Sequence, residues 1–215
     1  MNKIISAVFA ALVLLASSVQ GQWRIGIHGG LNLADLREPD GYEYGGMWLM
    51  RPHILAGITL DYALSDNFLI ATQVNFIQKG MITLNELTGL SEWGYTNFTG
   101  NYYEVPICVR WRIGKEPMRW FFECGPELAL LESSRGRYTV IPWQLESVES
   151  GEYGGGFRDS EIGLIVGAGG EYNLSRTFVL TFSVHYARGL TEISNNWYGV
   201  RSEGVQFDCG VLVCL

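Results

Sequence analysis

The sequence lacks several features that other protein classes require. After the N-terminus, no apolar run approaches the roughly 20 residues that a transmembrane helix needs, so a helical membrane span is excluded. The four cysteines have no Cys-x-x-Cys spacing and the three histidines are scattered, so neither a metal nor a cofactor is expected. The net charge is −7 and basic residues do not cluster with aromatics, which argues against nucleic acid as a partner.

The sequence does contain stretches in which apolar and polar residues alternate with a period of two, as in half-buried β-strands. The clearest begins at Phe178 and ends at Arg188. Eight such strands are predicted, at residues 22–34, 52–63, 68–80, 101–113, 119–131, 160–173, 177–189 and 203–215. Each has at least the roughly 9 to 11 residues that cross a bilayer at a tilt.

The links between these strands alternate strictly between short and long. Short links at residues 64–67, 114–118 and 174–176 contain turn-forming residues, whereas the links at residues 35–51, 81–100, 132–159 and 190–202 are much longer. Outer-membrane barrels have an even number of strands, tight periplasmic turns and long outward loops. The pattern therefore predicts an all-β, eight-stranded antiparallel up-and-down transmembrane β-barrel with both termini in the periplasm.

A soluble sandwich or a lipocalin-like barrel would also show alternating strands, so the position of the aromatics decides between the classes. Seven aromatic residues lie on the apolar phase beside the chain start or a tight link: Trp23, Tyr62, Phe68, Trp111, Trp120, Tyr172 and Phe178. This placement is typical of an interfacial aromatic girdle, which a soluble core has no reason to build.

The N-terminal residues 1–21 have the layout of a secretory signal peptide. Lys3 precedes a mostly apolar run, which is followed by small and polar residues. Cleavage after Gly21 would leave residues 22–215 as one outer-membrane barrel domain, which begins directly with the first strand.

The opposite phase of the strands is polar and charged, and it predicts the contents of the lumen. An eight-stranded barrel is only wide enough to be filled by its own side chains. The predicted lumen charge network consists of Arg110, Arg112, Glu123, Glu127, Glu104, His28 and Asp208. Arg110 and Arg112 are expected to meet Glu123 or Glu127 across one strand pair, and inward glycines such as Gly57 and Gly167 are expected to make room.

The strongest enzyme hypothesis also rests on this inward phase. Ser183, His185, His28 and Asp208 all belong to it, and the simplest register places Asp208 opposite Ser183 and near His28. Such residues could form a nucleophile set, but triads are defined by geometry, and a polar lumen network is the preferred interpretation. No catalytic residue is assigned.

The cysteines and the long loops complete the list of candidates. Cys108 and Cys124 fall on opposite faces of adjacent strands, so buried free thiols are expected there and at Cys209 and Cys214. The two longest links are rich in aromatics, among them Phe98, Trp143 and Phe157. Such loops either bind a partner or a sugar, or simply pack.

Four strings in the chain resemble those of the PorT-like outer-membrane barrels typical of Bacteroidetes. They are GIHGGLNL at residues 26–33, YYEVPI at 102–107, GP at 125–126 and YARGLT at 186–191. The resemblance covers the whole mature chain and implies the eight-stranded design shared with the OmpA and OmpX barrels. One departure is the last residue, Leu215, where many such barrels end in an aromatic residue.

The resemblance implies little about activity, because the namesake is linked to type IX secretion while most members have no assigned activity. The leading hypothesis is a non-enzymatic, integral protein of the bacterial outer membrane with a structural, adhesion or secretion-accessory role. Expected partners are outer-membrane lipid and lipopolysaccharide, the barrel-assembly machinery and type IX secretion components. The alternatives are a lipid-modifying hydrolase or protease using Ser183, His185 and Asp208, and a small channel.

Overall fold

The computed structural model describes residues 23–37, 47–49, 51–87, 92–141, 149–153, 156–193 and 199–215. These ranges contain ten β-strands: β1 (Trp23–Arg37), β2 (Met47–Leu49), β3 (Arg51–Ala63), β4 (Phe68–Leu87), β5 (Glu92–Lys115), β6 (Met118–Ile141), β7 (Glu149–Tyr153), β8 (Ser160–Asn173), β9 (Phe178–Gly189) and β10 (Arg201–Cys214). Within the same ranges, no helix is long and apolar enough to span a membrane. The predicted signal peptide and Gln22 lie outside the described residues.

Eight of these strands form a closed antiparallel barrel, which confirms the predicted fold class. The order around the ring is β1, β3, β4, β5, β6, β8, β9 and β10, and β10 pairs back with β1. The Leu215 amide donates to the Trp23 carbonyl at 2.9 Å, so the two ends of the described chain meet. The short strands β2 and β7 pair with β4 and β6 outside this ring.

The two phases of each strand face different environments. The apolar phase points outward, where Ile27 is 70% exposed and Trp120 is 55% exposed, while the charged phase is buried in the lumen. Large apolar side chains exposed at this density would be unfavourable in water, but they are stabilised by contact with hydrocarbon. The alternation in the sequence therefore produces a lipid-facing wall around a polar interior.

Two of the tight turns are built alike. After β3 and after β8 the chain continues with Leu-Ser, at Leu64 and Leu174, and each leucine amide donates to the carbonyl of the next strand's phenylalanine at 2.9 Å. The serine hydroxyl of each turn accepts the amide of the same phenylalanine. The third turn, at residues 116–117, connects β5 to β6, and Gly114 near the end of β5 has a φ of 108°, which favours glycine.

The strand bounds were predicted well at the membrane and poorly beyond it. The bounds of β8 match the prediction, but residues 81–87, 92–100, 132–141 and 149–153, which were predicted to lie in loops, belong to strands. β4 and β5 stay paired as far as Leu87 and Glu92, and β5 and β6 as far as Trp93 and Ile141. Outside the bilayer no lipid requires an apolar outward face, so pairing continues without the apolar alternation that marks a membrane span.

An apolar cluster fills the lumen at the loop end. Its buried members are Leu36, Leu55, Ile77, Phe98, Tyr102, Ala129, Phe157, Ile193 and Val200. We call this cluster the apolar plug. The predicted charge network therefore does not extend to this end of the lumen, where Phe98 and Phe157, from links that were expected either to bind a partner or to pack, lie inside.

Candidate functional site

The lumen next to the tight turns holds a compact group of opposite charges. Arg24 donates to Glu171 through two bonds of 2.8 Å and to Asp61 at 2.6 Å. Arg110 also reaches Glu171, at 3.1 Å. A carboxylate held by a forked guanidinium is the strongest type of charged contact, so these side chains are fixed in position. All four lie on the polar phase of their strands, which the sequence predicts to face the lumen, although the predicted charge network named only Arg110.

Arg110 and Glu123 connect this group to the middle of the barrel. The two residues are directly opposed in the pairing of β5 with β6, and Arg110 Nε donates to Glu123 Oε2 at 2.6 Å. The Arg110 guanidinium also lies 4.2 Å from the centre of the Phe121 ring. The prediction that Arg110 meets Glu123 thus has a direct counterpart in the structure.

The other two residues of that prediction lie elsewhere. Arg112 donates to the Asp66 carbonyl at 2.8 Å and lies 3.7 Å from Glu171. Glu127 lies 3.3 Å from the Lys79 ammonium. The reason is geometry: Arg112 and Glu127 are too far apart along the ladder to meet, and each has a nearer partner on another strand.

Ser183, His185 and Asp208 come together, but not as a nucleophile set. Asp208 is opposed to Ser183 in the predicted register, and Ser183 Oγ donates to Asp208 Oδ1 at 2.8 Å. His185 Nδ1 is 3.1 Å from Asp208 Oδ2, and its Nε2 contacts Glu123. A serine nucleophile needs its proton accepted by a histidine nitrogen. Here both ring nitrogens face carboxylates and the hydroxyl donates to the aspartate.

His28 occupies a separate place in the same layer. Its Nε2 is 2.9 Å from Asn75 Oδ1, and its Nδ1 is 2.9 Å from Thr59 Oγ1. Gly57 makes this possible, since a Cβ there would lie 2.3 Å from Asn75 Oδ1. His28 is therefore held by the neutral partners Asn75 and Thr59, whereas Ser183 and His185 both contact Asp208.

Lys79 is the residue that sequence reasoning missed. Its ammonium is buried and lies 3.4 Å from Glu104, 3.3 Å from Glu127 and 3.2 Å from Glu161. We call these four residues the Lys79 cluster. Lys79 has the same phase as Gln73 and Asn75, which was the available signal, but the intervening Ile77 interrupted the polar pattern.

Most of the predicted girdle faces outward at the tight-turn end. Phe68, Trp111, Trp120, Tyr172 and Phe178 are all exposed large side chains. Trp23 and Tyr62 are only partly exposed, because they contact each other with ring centroids 4.6 Å apart.

The cysteines differ from the prediction, and the described residues offer no metal site. Cys108 is buried, but Cys124 and Cys209 are exposed and Cys214 is intermediate, so the prediction of buried thiols was wrong for these three. Cys124 and Cys209 lie on the outward phase of their strands, whereas Cys214 lies on the inward phase at the open tight-turn end of the lumen, opposite Arg24. Among the described residues, no three histidine, cysteine, aspartate or glutamate side chains are grouped to hold a metal ion.

A polar cleft of about 430 Å³ lies at the loop end of the barrel wall. Amide, hydroxyl and basic side chains from β3 to β6 line it: His53, Gln78, Asn97, Thr99, Asn101, Ser133, Ser134, Arg135 and Arg137. Hydrogen bonds within it include Gln78 to Asn101 at 2.9 Å and Asn101 to Ser133 at 2.8 Å. We call it the loop-end cleft.

Comparison with known proteins agrees with this architecture. The neisserial surface protein A structure covers 90% of this chain and 97% of its own at 14% identity, with a TM-score of 0.50. OprG from Pseudomonas aeruginosa covers 91% of this chain and 97% of its own at 10% identity, also with a TM-score of 0.50. Identities this low show a shared fold alone. No curated protein matches the sequence.

The family model described as an outer membrane protein beta-barrel domain matches residues 16–195. That match spans most of the chain and includes all of the strands except β10. The chain therefore belongs to the outer membrane protein beta-barrel domain family and is an integral protein of the bacterial outer membrane.

Proposed function

We propose that this protein is a non-enzymatic, non-conducting barrel that supports a binding surface outside the outer membrane. The observation that carries the proposal is the paired sheet at the loop end. β4 and β5 run on for roughly ten residues beyond the lipid-facing band, about 30 Å at the rise of a strand. Paired strands of this length hold a surface in place more rigidly than an irregular loop.

The filled lumen supports the same proposal. Ion pairs occupy it from Arg24 to the Lys79 cluster, and the apolar plug follows at the loop end. A pore needs a water-filled path, whereas this interior is packed by its own side chains. The barrel then acts as a rigid support, which is the setting in which binding residues concentrate on projecting segments.

The chemistry of the loop-end cleft indicates the class of ligand. Its amides and hydroxyls offer donors and acceptors in several directions, and Arg135 and Arg137 add positive charge. A hydrophilic ligand with many hydroxyls and some negative charge fits this lining, so we assign the cleft to an anionic saccharide. An adhesion role follows from binding such a ligand at the cell surface.

The topology of the protein in the envelope is part of the proposal. Residues 1–21 direct export, the barrel-assembly machinery inserts the chain, and the loop end contacts lipopolysaccharide. Both termini and the tight turns face the periplasm, as in other barrels of this design.

A glycan array tests the binding role. We would apply the purified full-length mature chain, folded in detergent, to neutral and anionic saccharides including lipopolysaccharide. In one variant an Asn-Gly turn replaces residues 83–96, because Ile82 and Asn97 are directly paired and can be joined by a hairpin turn. In another, Arg137→Gln changes the cleft, and Lys115→Gln, at an exposed position beside a tight turn and outside the cleft, is the matched control.

We expect anionic saccharides to bind the wild type and Lys115→Gln equally. Removal of a charged hydrogen-bonding group should weaken binding by roughly tenfold in Arg137→Gln. Binding should also weaken in the trimmed variant, because residues 138–140, which follow Arg137, lose their pairing partners on β5. Heat-modifiable migration on gels would show that each variant is folded. Absence of saccharide binding by the wild type, or equal binding by the trimmed variant, would refute the proposal.

A secretion-accessory role is the second candidate, favoured by the resemblance to PorT-like barrels. The residues that carry this resemblance lie mainly in the wall and lumen: His28, Asn32, Glu104 and Pro106 are buried. They specify a barrel more than a partner surface. A comparison of surface and secreted proteomes with and without the gene tests this role, since loss of specific cargo would support it and an unchanged profile would remove it.

A further inference from the structure

The tight-turn end of the barrel contains a second cavity, of about 550 Å³, that neither the fold nor the proposed binding role uses. Side chains from all three tight turns contribute to its lining, including the exposed residues Asp66, Glu116 and Arg176, so the cavity opens to solvent there. The buried charged side chains of the lumen begin directly below it, with Arg24 and Glu171. The volume of the cavity is typical of small-molecule sites.

The lining is rich in guanidinium groups. Arg24, Arg112, Arg119 and Arg176 line the cavity together with three carboxyl groups. One of those carboxyls is already engaged, because Glu171 accepts from Arg24 and Arg110 inside the lumen. The positive charge of Arg112 and Arg119 is therefore only partly balanced by the remaining acids.

Arg112 and Arg119 are held next to each other by the turn between β3 and β4. Both donate to the Asp66 carbonyl, at 2.8 Å and 3.4 Å. The side chain of Arg112 is 9% exposed and that of Arg119 is 26% exposed. Arg112 lies 3.7 Å from Glu171, which Arg24 and Arg110 share, and Arg119 lies 3.7 Å from Glu116. These long contacts balance the two charges only in part, so a further anion would reduce the repulsion between the two guanidinium groups.

Both arginines also have a hydrogen-bond donor without a partner in the structure. The Nε of Arg112 and the Nε of Arg119 are buried, and neither makes a hydrogen bond in the structure. A buried donor without an acceptor costs free energy, so each such atom calls for an explanation. An oxyanion that enters the cavity could accept from the guanidinium edge that contains Nε, which is the usual forked geometry for arginine.

We propose that this turn-end cavity binds a phosphate-type oxyanion through Arg112 and Arg119. The cavity is larger than one phosphate group, so it has room for a phosphorylated polar molecule as well as for free phosphate. The phosphate of a lipid headgroup at the inner leaflet presents the same chemistry. Arg24 and Glu171 form the floor of the site, and Arg176 stands at its opening.

The test is a calorimetric titration of inorganic phosphate into the full mature chain, folded in a phosphate-free detergent at constant ionic strength. Arg119→Gln and Arg112→Lys change the site, whereas Arg188→Gln changes an exposed arginine near the loop end. Heat-modifiable migration checks that each variant is folded. Arg112→Lys keeps the charge but loses the fork, which separates specific recognition from general attraction.

Saturable phosphate binding by the wild type and by Arg188→Gln is expected, with affinity lower by roughly tenfold in Arg119→Gln and also reduced in Arg112→Lys. No saturable binding by the wild type, or equal affinity in Arg119→Gln and Arg188→Gln, would overturn the proposal. Repeating the titration in nanodiscs identifies the source. Weaker phosphate binding in phosphatidylcholine nanodiscs than in the phosphate-free detergent would indicate that a lipid headgroup phosphate occupies the site, and equal binding would indicate a soluble phosphate.

Discussion

Gly167 lies directly opposite His185 in the pairing of β8 with β9, and a Cβ on Gly167 would lie 2.1 Å from His185 Cδ2. The absence of a side chain at Gly167 therefore gives the imidazole its place between Asp208 and Glu123. This is the clearest case in which an inward glycine makes room for a long polar side chain in the lumen.

The first prediction concerns this contact. Gly167→Ala should displace His185 and lower the free energy of unfolding by about 1–3 kcal/mol, because an extra methyl group is forced into a packed interior. Urea-induced unfolding in lipid vesicles measures it. Gly29→Ala is the matched control, since the nearest atom to its Cβ is at 3.6 Å, an ordinary contact. Equal stability of the two variants would show that the lumen near His185 is not tightly packed.

The second prediction concerns the Lys79 cluster. Lys79→Met removes the ammonium that three buried carboxyl groups share, and breaking a buried charge group of this kind costs about 3–5 kcal/mol. The same unfolding assay measures the loss. Lys115→Met, at an exposed turn, should change stability by no more than about 0.5 kcal/mol. A stable Lys79→Met barrel would mean that the three carboxyl groups do not depend on this lysine.

Adding Glu127→Gln to Lys79→Met extends this test. The second substitution removes one of the charges left unbalanced, so part of the lost stability should return. If the loss of stability in the double variant equals the sum of the losses in Lys79→Met and Glu127→Gln alone, the two residues are not coupled.

The third prediction concerns Ser183. Because its hydroxyl donates to Asp208 and not to a histidine, Ser183→Ala should cost about 1 kcal/mol of stability and change no hydrolase activity. Assays with nitrophenyl esters and with a lipid substrate, on wild type and variant side by side, measure the activity. Hydrolysis by the wild type that disappears in Ser183→Ala would establish the enzyme hypothesis instead.

The fourth prediction concerns orientation. In a background with the four native cysteines replaced, a cysteine at Ser134, which lines the loop-end cleft, should react with an impermeant maleimide on intact cells. A cysteine at Ser65, in the turn between β3 and β4, should react only after the outer membrane is permeabilised. The reverse pattern of labelling would place the termini and tight turns outside the cell.

The sequence was sufficient for the parts of the fold that the bilayer constrains. The lipid requires an apolar outward phase and a closed ring of strands. These requirements appear in the sequence as alternating apolar residues and an even number of strands. The bounds of β8 were predicted correctly for this reason. Register followed where a tight turn fixed it, as for Arg110 and Glu123. The pairing of Ser183 with Asp208 followed equally from the simplest register.

Beyond the bilayer those constraints disappear. Strand pairing beyond the bilayer, as far as Leu87 and Ile141, leaves no periodic signal in the sequence. The burial of Phe98 and Phe157 in the apolar plug depends on how far the wall extends around them. Lys79 was not predicted to face the lumen because Ile77, on the same phase of β4, is an apolar residue that belongs to the plug. The partners of Arg112 and Glu127 were not predictable, since contacts across the lumen depend on the stagger of strands that are distant in sequence.

The filled lumen underlies the proposal that this barrel serves as a support for a binding surface and not as a pore. Electrical recording from the purified, folded wild-type protein in planar bilayers tests it most directly. A filled lumen predicts a flat current trace after insertion, because the ion pairs and the apolar plug leave no continuous aqueous path. Stable, stepwise conductance increases from folded wild-type protein would contradict it and make this barrel a small channel.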